Sequence, residues 1–351
     1  MEQRIIFSRN MKLELAEAIS ESEHDRIFVL TDAHTAQQCW PRISSFLSLK
    51  GARLITIAAG DEAKNLNTLS AVWTAMQQGD GTRHSLLINL GGGMVTDLGG
   101  FAASTFKRGI NFINIPTSLL AMVDASVGGK TGINYGGLKN EIGVFNEGKC
   151  VIINTRFLST LDLKNLLAGY AEMIKHGLIS DEAHWSSLMD FDITQPDFGE
   201  LQQLVKQSVE VKEDIVRQDP KERGIRKALN FGHTFGHALE EWSLSHCPDD
   251  PLPHGYAVAF GMIAELWLSC VRCDFPTDRM RQTVSFIRSH YGAVGIKCDD
   301  YGELIGMMKH DKKNRAGEID CTLLQAIGNV KTDQNLSENE IKEAFDFLRE
   351  G

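Results

Sequence analysis

Five short apolar runs, Arg26–Thr31, Arg53–Ala58, Ser85–Leu90, Phe112–Ile115 and Val151–Asn154, alternate with stretches of helical spacing such as Leu66–Gln78. Runs of this length, rich in branched apolar residues, suit strands covered on both faces, and the helices between them supply the crossovers that parallel pairing needs. The alternation implies an N-terminal α/β domain over residues 1–160, with a Rossmann-like parallel sheet. It stops there. Beyond Leu161 the pattern is helical: Leu166–Gly177, Phe198–Arg217, Lys227–Trp242, Tyr256–Cys270 and Glu338–Leu348, the last opened by a capping box of Ser337 and Glu340. One late strand is expected around Thr322–Ile327. Residues 161–351 therefore read as a mainly α-helical C-terminal domain.

Charge narrows the function. With 36 Lys+Arg against 46 Asp+Glu the net charge is −10, which argues against a general nucleic-acid partner. No apolar run approaches the ~18 residues of a membrane span, and Met1-Glu2-Gln3-Arg4 does not open a signal peptide, so no membrane partner and a cytoplasmic location are expected. The 7 cysteines are odd in number and scattered, unlike a disulfide framework, and Cys270-x-x-Cys273 reads as reduced thiols on a helix.

The run Leu86–Leu90 leads directly into Gly91-Gly92-Gly93-Met94-Val95-Thr96-Asp97. Glycines at a strand-to-helix turn let a ligand approach the backbone, and the free N–H groups of the helix favour an anion such as pyrophosphate. The turn is non-standard, because Thr96 occupies the sixth position of G-x-G-x-x-G and Asp97 would repel phosphate unless it faces a hydroxyl or amide. Gly60-Asp61-Glu62-Ala63-Lys64 follows the second strand, at the end where α/β sheets bind ligands.

Downstream, Lys107-Arg108-Gly109, Pro116-Thr117-Ser118, Asp124 to Thr131 and Lys139-Asn140 mix cations, glycines and hydroxyls. Gly128-Gly129-Lys130-Thr131 resembles the tail of a Walker loop, but Asp124 stands where its first glycine belongs, so that reading fails. If Arg108, Lys130 and Lys139 converge, they form a local anion pocket within an acidic protein.

The helical half holds candidate metal donors: Glu172, then His233 and His237, then His254. Two histidines and a carboxylate with an open position make a hydrolytic or polarising divalent centre. His233 and His237 share a helix face, but Thr234 replaces the glutamate that a zincin requires. Spacing alone leaves His237 and His254 both eligible.

Gly91–Asp97, Asp124–Thr131, Lys139-Asn140, Ala171–Lys175, Glu222 through Arg226 to Asn230–His237, His254-Gly255 and Asp311-Lys312-Lys313 together resemble, in order and spacing, the 3-dehydroquinate synthase family of sugar-phosphate cyclases. The resemblance spans about residues 26 to 328. It implies bound NAD in the first domain and one divalent metal, usually zinc, with cobalt an alternative, on Glu172, His233 and His254, which moves His237 to the substrate side. Cofactor contacts carried over by motif are Asp32, Glu62, Lys64, Gly92, Gly93, Met94, Asp97, Thr117, Ser118, Lys139, Phe157 and Thr160. Substrate contacts are Arg108, Asp124, Lys130, Asn140, Lys175, Lys212, Glu222, Arg226, Asn230, His237 and Lys312. The implied reaction converts 3-deoxy-D-arabino-heptulosonate 7-phosphate to 3-dehydroquinate and phosphate by transient oxidation, phosphate elimination, re-reduction and intramolecular aldol closure. Because the arginine matching Arg108 can reach across a dimer interface in the family, a homodimer is expected.

The chain departs from the family pattern at Thr96, usually Gly, at Ser118, usually Thr, at His34, an Asn-type position, and at Met94, usually Val. Competing readings are a sibling cyclase acting on another sugar phosphate, a metal-dependent alcohol or glycerol dehydrogenase, and a non-catalytic NAD- or metal-binding regulator. Intact Glu172, His233, His254, Lys130 and Lys175 argue against the last.

Overall fold

The computed structural model describes residues 3–310 and 318–350. The chain divides into two compact units, Met1–Asp162 with Asp197–Val209, and Leu163–Pro196 with Glu210–Gly351.

The first unit runs β1 (Arg4–Phe7), α1 (Met11–Ser20), β2 (Ile27–Asp32), α2 (Ala33–Gln38), β3 (Arg53–Ile57), α3 (Leu66–Gln78), β4 (Leu86–Gly91), α4 (Gly93–Thr105), β5 (Asn111–Pro116), a hairpin of β6 (Lys130–Tyr135) and β7 (Leu138–Phe145), and β8 (Cys150–Ile153). Six strands form one parallel sheet in the order β1-β8-β5-β4-β2-β3. All five expected strands are present, as β2, β3, β4, β5 and β8. Central β4 is buried at every residue, as its unbroken apolar run requires of a strand between two helical layers. Phe28, Leu30, Leu69, Val72, Leu98 and Phe112 share one buried cluster around it. From β2 the chain leaves outward to β3, and from neighbouring β4 it leaves the opposite way to β5. The carboxyl ends of β2 and β4 thus flank a topological switch point, where open parallel sheets bind ligands.

The second unit holds α5 (Leu163–Ser180), α6 (Glu182–Asp190), the C-terminal part of α7 (Phe198–Gln218), α8 (His233–His246), α9 (His254–Cys273), α10 (Thr277–Tyr291), α11 (Tyr301–His310), an antiparallel hairpin of β9 (Ile319–Ala326) and β10 (Asn329–Leu336), and α12 (Glu338–Glu350). The capping box forms as read: the Ser337 N–H donates to Glu340 at 2.8 Å, and the Glu340 N–H donates to the Ser337 hydroxyl at 3.4 Å.

Three expectations are corrected. The helix expected over Lys227–Trp242 is instead a 3₁₀ turn, Ile225–Asn230, followed by α8 from His233, because Gly232 between them has φ +80°. A Cβ at Gly232 would meet Val258 O at 2.9 Å, so the apolar periodity that runs through the segment is broken by backbone contact. The single late strand is one arm of a hairpin; its partner β10 is polar and largely exposed, and therefore carries little apolar signal. Finally, α9 has 20 residues, and an 18-residue window within it has a mean hydropathy of 1.3, enough by length and composition for a membrane span. However, 67% of that window is buried inside the protein, as befits a core helix.

The seven cysteines are free, and Cys270 and Cys273 are half-buried. Burial pushes both thiols up, which disfavours thiolate chemistry.

Candidate active site

The glycine turn joins β4 to α4, with Gly92 as the N-cap residue. Helix and sheet approach closely at Gly99 rather than at Thr96: a Cβ on Gly99 would meet Asn89 Oδ1 at 2.0 Å. Thr96 is buried and its hydroxyl donates to Gly93 O at 3.1 Å, so it turns back onto its own helix. The close-packing role of the sixth-position glycine in the fingerprint is thus taken one turn later. Beside the turn, the Thr117 N–H donates to Gly91 O at 2.9 Å, and the Ser118 hydroxyl accepts from the Ala121 N–H at 3.2 Å. Asp32, at the end of neighbouring β2, caps α2 by accepting from the Thr35 N–H at 2.8 Å. His34 is exposed on the first turn of α2, and Met94 packs half-buried against the core cluster. Phe157 is buried, the Thr160 hydroxyl donates to its carbonyl at 2.8 Å, and Glu62 is exposed.

Asp97 faces a cation. The buried Lys64 ammonium pairs with its carboxylate and also donates to Asn140 Oδ1. This neutralises the charge that would otherwise repel phosphate from the turn. The same contact ties the β6–β7 hairpin to the loop after β3, aided by Asn134 N–H to Lys64 O at 2.8 Å and Asn140 N–H to Asn134 Oδ1 at 2.9 Å.

Arg108, Lys130 and Lys139 do not all meet within the chain. Lys139 lies near the hairpin tip, 3.6 Å from Asp61, whereas Lys130 pairs in register with Phe145 at its base. Arg108 follows α4, whose 13 residues span about 20 Å from the glycine turn, and it lines a polar recess with Arg83, Ser104 and Asn146. Asp124 sits in a π-turn, Ala121–Ala125, closed by Ser126 N–H to Ala121 O at 3.1 Å.

In the second unit, Glu172 on α5 is fully buried, and one of its oxygens pairs with Lys175 one turn on. The other, Oε1, lies 3.5 Å from His233 Nε2 and 3.6 Å from His254 Nε2. Donors on a tetrahedral ion with bonds of 2.0–2.2 Å stand about 3.4 Å apart, so this spacing suits a zinc-type cation with one position open. The Nδ1 atoms are engaged elsewhere, His233 with Phe231 O at 3.1 Å and His254 with Glu240 Oε2 at 3.0 Å. The His237 ring centroid is 5.3 Å from that of His233, but the donor group is Glu172, His233 and His254. Burial opposes protonation of His254, yet Glu240 and Glu172 outweigh it and push its pKa up to about 10.

Among the described residues, Lys and Arg are buried at four positions, 64, 175, 212 and 226, each of them among the ligand contacts that the family resemblance implies. Buried cations are costly without compensation. The Arg226 guanidinium donates to Pro220 O at 2.8 Å, and Asn230 Nδ2 donates to Glu222 Oε1 at 2.8 Å. Asp219 fixes the loop before them by accepting backbone N–H groups of Arg223, Gly224 and Arg226, which hold its carboxyl below the usual range. Lys312 lies outside the described residues.

Two buried carboxylates escaped sequence reading. Glu265 on α9 accepts from the Gly232 N–H at 2.6 Å and the Thr234 N–H at 3.1 Å, which pins the backbone on either side of His233. Glu240 contacts His254. A lone charge inside the apolar run of α9, and a glutamate seven residues after His233 on the same helix face, were the available signals.

A family model for the N-terminal part of 3-dehydroquinate synthase matches residues 54–168, and one for the C-terminal part matches residues 169–314. The 3-dehydroquinate synthase of Parabacteroides distasonis is 49% identical over 349 residues, covering 99% of this chain and 98% of the relative. The fold is shared with a 2-deoxy-scyllo-inosose synthase solved with carbaglucose-6-phosphate, NAD+ and Co2+ (TM-score 0.86, 21% identity, 99% and 96% of the two chains). It is shared equally with a 2-epi-5-epi-valiolone synthase from Streptomyces hygroscopicus solved with NAD+ and Zn2+ (TM-score 0.86, 24% identity, 99% and 97%). With both halves matched in order and nearly half the residues identical to one relative from end to end, the chain belongs to the 3-dehydroquinate synthase family.

Proposed function

We infer that the chain is a 3-dehydroquinate synthase, a carbon–oxygen lyase that converts 3-deoxy-D-arabino-heptulosonate 7-phosphate to 3-dehydroquinate and phosphate within the shikimate route to aromatic amino acids. The observation that carries this reading is the convergence of Glu172, His233 and His254 donors beside buried Lys175, in a chain of this family. When bound, NAD would take up and return a hydride, and a divalent ion would polarise sugar hydroxyls.

The chain's own residues do the rest. Gly92 and Gly93 leave the first N–H groups of α4 open to pyrophosphate, and Lys64 cancels the charge of Asp97 beside them. Asp32, Glu62, Met94, Thr117, Ser118, Lys139, Phe157 and Thr160 complete the cofactor set. Lys175 balances Glu172, so the centre does not accumulate excess negative charge. Lys130, Asn140, Lys212, Arg226, Asn230 and Lys312 supply cationic and amide donors for carboxylate and phosphate. Asp124 and Glu222 orient hydroxyls, and His237, beside His233, holds or moves a proton. Arg108 lies about 20 Å along α4 from the glycine turn, which fits the family expectation of a homodimer in which that arginine serves a second copy. Seven free thiols fit a reducing, cytoplasmic setting.

Incubation with the heptulosonate phosphate, NAD and zinc tests the reading. Phosphate and cyclic product should appear together, in equal amounts, with no net NADH. Stoichiometric NADH would instead mark a dehydrogenase, and faster phosphate release from a heptulose or glucose phosphate would mark a sibling cyclase. Lys64→Met leaves Asp97 without its counter-ion near the pyrophosphate position and is expected to weaken NAD binding about 10- to 100-fold. Titration of NAD by fluorescence quenching checks it; an unchanged dissociation constant places Asp97 away from the cofactor.

A further inference from the structure

The two imidazoles that converge on Glu172 are held in different ways. His233 is anchored through Nδ1 to a backbone carbonyl, Phe231 O, at 3.1 Å. His254 is anchored through Nδ1 to a side chain, Glu240 Oε2, at 3.0 Å. A neutral imidazole has one N–H donor and one acceptor nitrogen, and an ionised carboxylate only accepts. In the neutral ring, the form able to bind a cation, the Glu240 contact therefore places the proton on Nδ1 and leaves the Nε2 lone pair on the side of Glu172 Oε1, 3.6 Å away.

We propose that Glu240 is a positioning residue for His254: its carboxylate sets the ring form and the angle at which Nε2 meets the donors of Glu172 and His233. His254 needs such support. It is the first residue of α9, and its side chain is 30% exposed against 11% for His233, so fewer neighbours restrict its rotamers. Glu240 can supply it because it lies seven residues after His233 on α8, on the same face as His237. Its own side chain is only 8% exposed. A carboxylate taken out of water at that depth is costly to keep, and the 3.0 Å contact with the imidazole offsets part of that cost. The negative partner also strengthens the ring as a donor, an outer-layer effect that typically alters metal affinity 10- to 100-fold.

This inference rests on reading the triad as a divalent-metal centre, and the experiment separates the two. Zinc affinity is measured by chelator competition on the metal-stripped full chain for the wild type, Glu240→Gln and Glu240→Ala, together with the visible absorption of the cobalt-loaded forms. Melting of each metal-free chain is recorded in parallel. The wild type should bind one zinc ion. Glu240→Gln should bind it about 10-fold more weakly and Glu240→Ala closer to 100-fold, with altered cobalt bands and little change in metal-free melting. If the alanine variant does not fold, the glutamine variant, nearly the same in shape, decides. Equal zinc affinity and identical cobalt bands in all three proteins overturn the positioning role while leaving the metal centre intact. Loss of affinity matched by an equal loss of metal-free stability assigns Glu240 to the fold and also overturns it. A wild type that binds no zinc overturns the metal reading itself.

Discussion

His254→Ala is expected to lower phosphate release by at least about 1000-fold while leaving the metal-free chain folded. Three protein donors with one open position are what a catalytic divalent centre requires, and two donors hold such an ion poorly. The loss would fall on affinity for the ion and on the polarisation it provides, each worth several kcal/mol in the reaction. The cost to the fold should be moderate, about 1–3 kcal/mol: the imidazole stands at a helix start and is 30% exposed, but its removal takes a partner from the buried Glu240 carboxylate. His237→Ala is the informative comparison. Its ring is 5.3 Å from that of His233, yet it lies outside the donor group, so zinc content should survive while turnover falls. Metal analysis of the purified variants together with a phosphate-release assay checks both expectations. Full zinc content and turnover in His254→Ala would remove the centre as placed, whereas zinc loss in His237→Ala alone would transfer the ligand role to that residue.

The contrast between these two histidines shows where sequence reading reaches its limit. Local pattern carried the parallel sheet well, because β4 and its neighbours are apolar without interruption and set their own strand character. It missed β10, whose residues are polar and alternate between exposed and half-exposed, and it missed the β6–β7 hairpin, whose second strand is exposed throughout. Strands that bury little leave little hydrophobic signal. In the same way, helical spacing placed His233 and His237 on one face, but whether His254 joins them depends on where α9 begins relative to α5 and α8. That is a tertiary fact. Glu240 and Glu265 were hidden for the same reason, since each acts on a residue of a different helix or on the turn before one. The buried cations at 64, 175, 212 and 226 were legible only through resemblance; their burial, which makes them unusual, appears in the structure alone.

What brings the three helices into register is backbone contact through glycine, and this gives the second large effect. On α9, a Cβ at Gly255, next to His254, would lie 1.8 Å from Ala168 O, one turn before Glu172 on α5. A Cβ at Gly261 would lie 1.9 Å from Gly232 O and 2.7 Å from Gly236 N, at the start of α8 beside His233. Each obstacle is main chain, which cannot rotate away as a side chain can. Gly261→Ala is therefore expected to destabilise the chain by about 3 kcal/mol, at the upper end for overpacking, and to lower its melting midpoint by roughly 4 °C. Gly306→Ala provides the control: that residue lies inside α11 with nothing within 4 Å of its added Cβ, so relief of glycine's helix penalty should stabilise by about 0.5–1 kcal/mol. Gly261→Ala should also weaken zinc binding, because the helix start that carries His233 must move away from α9. Thermal melts of the metal-free proteins and chelator competition measure the two effects separately. A melting midpoint within a degree of wild type, with zinc affinity unchanged, would mean that α8 and α9 tolerate wider spacing and that side-chain contacts, rather than backbone approach, aim the donors.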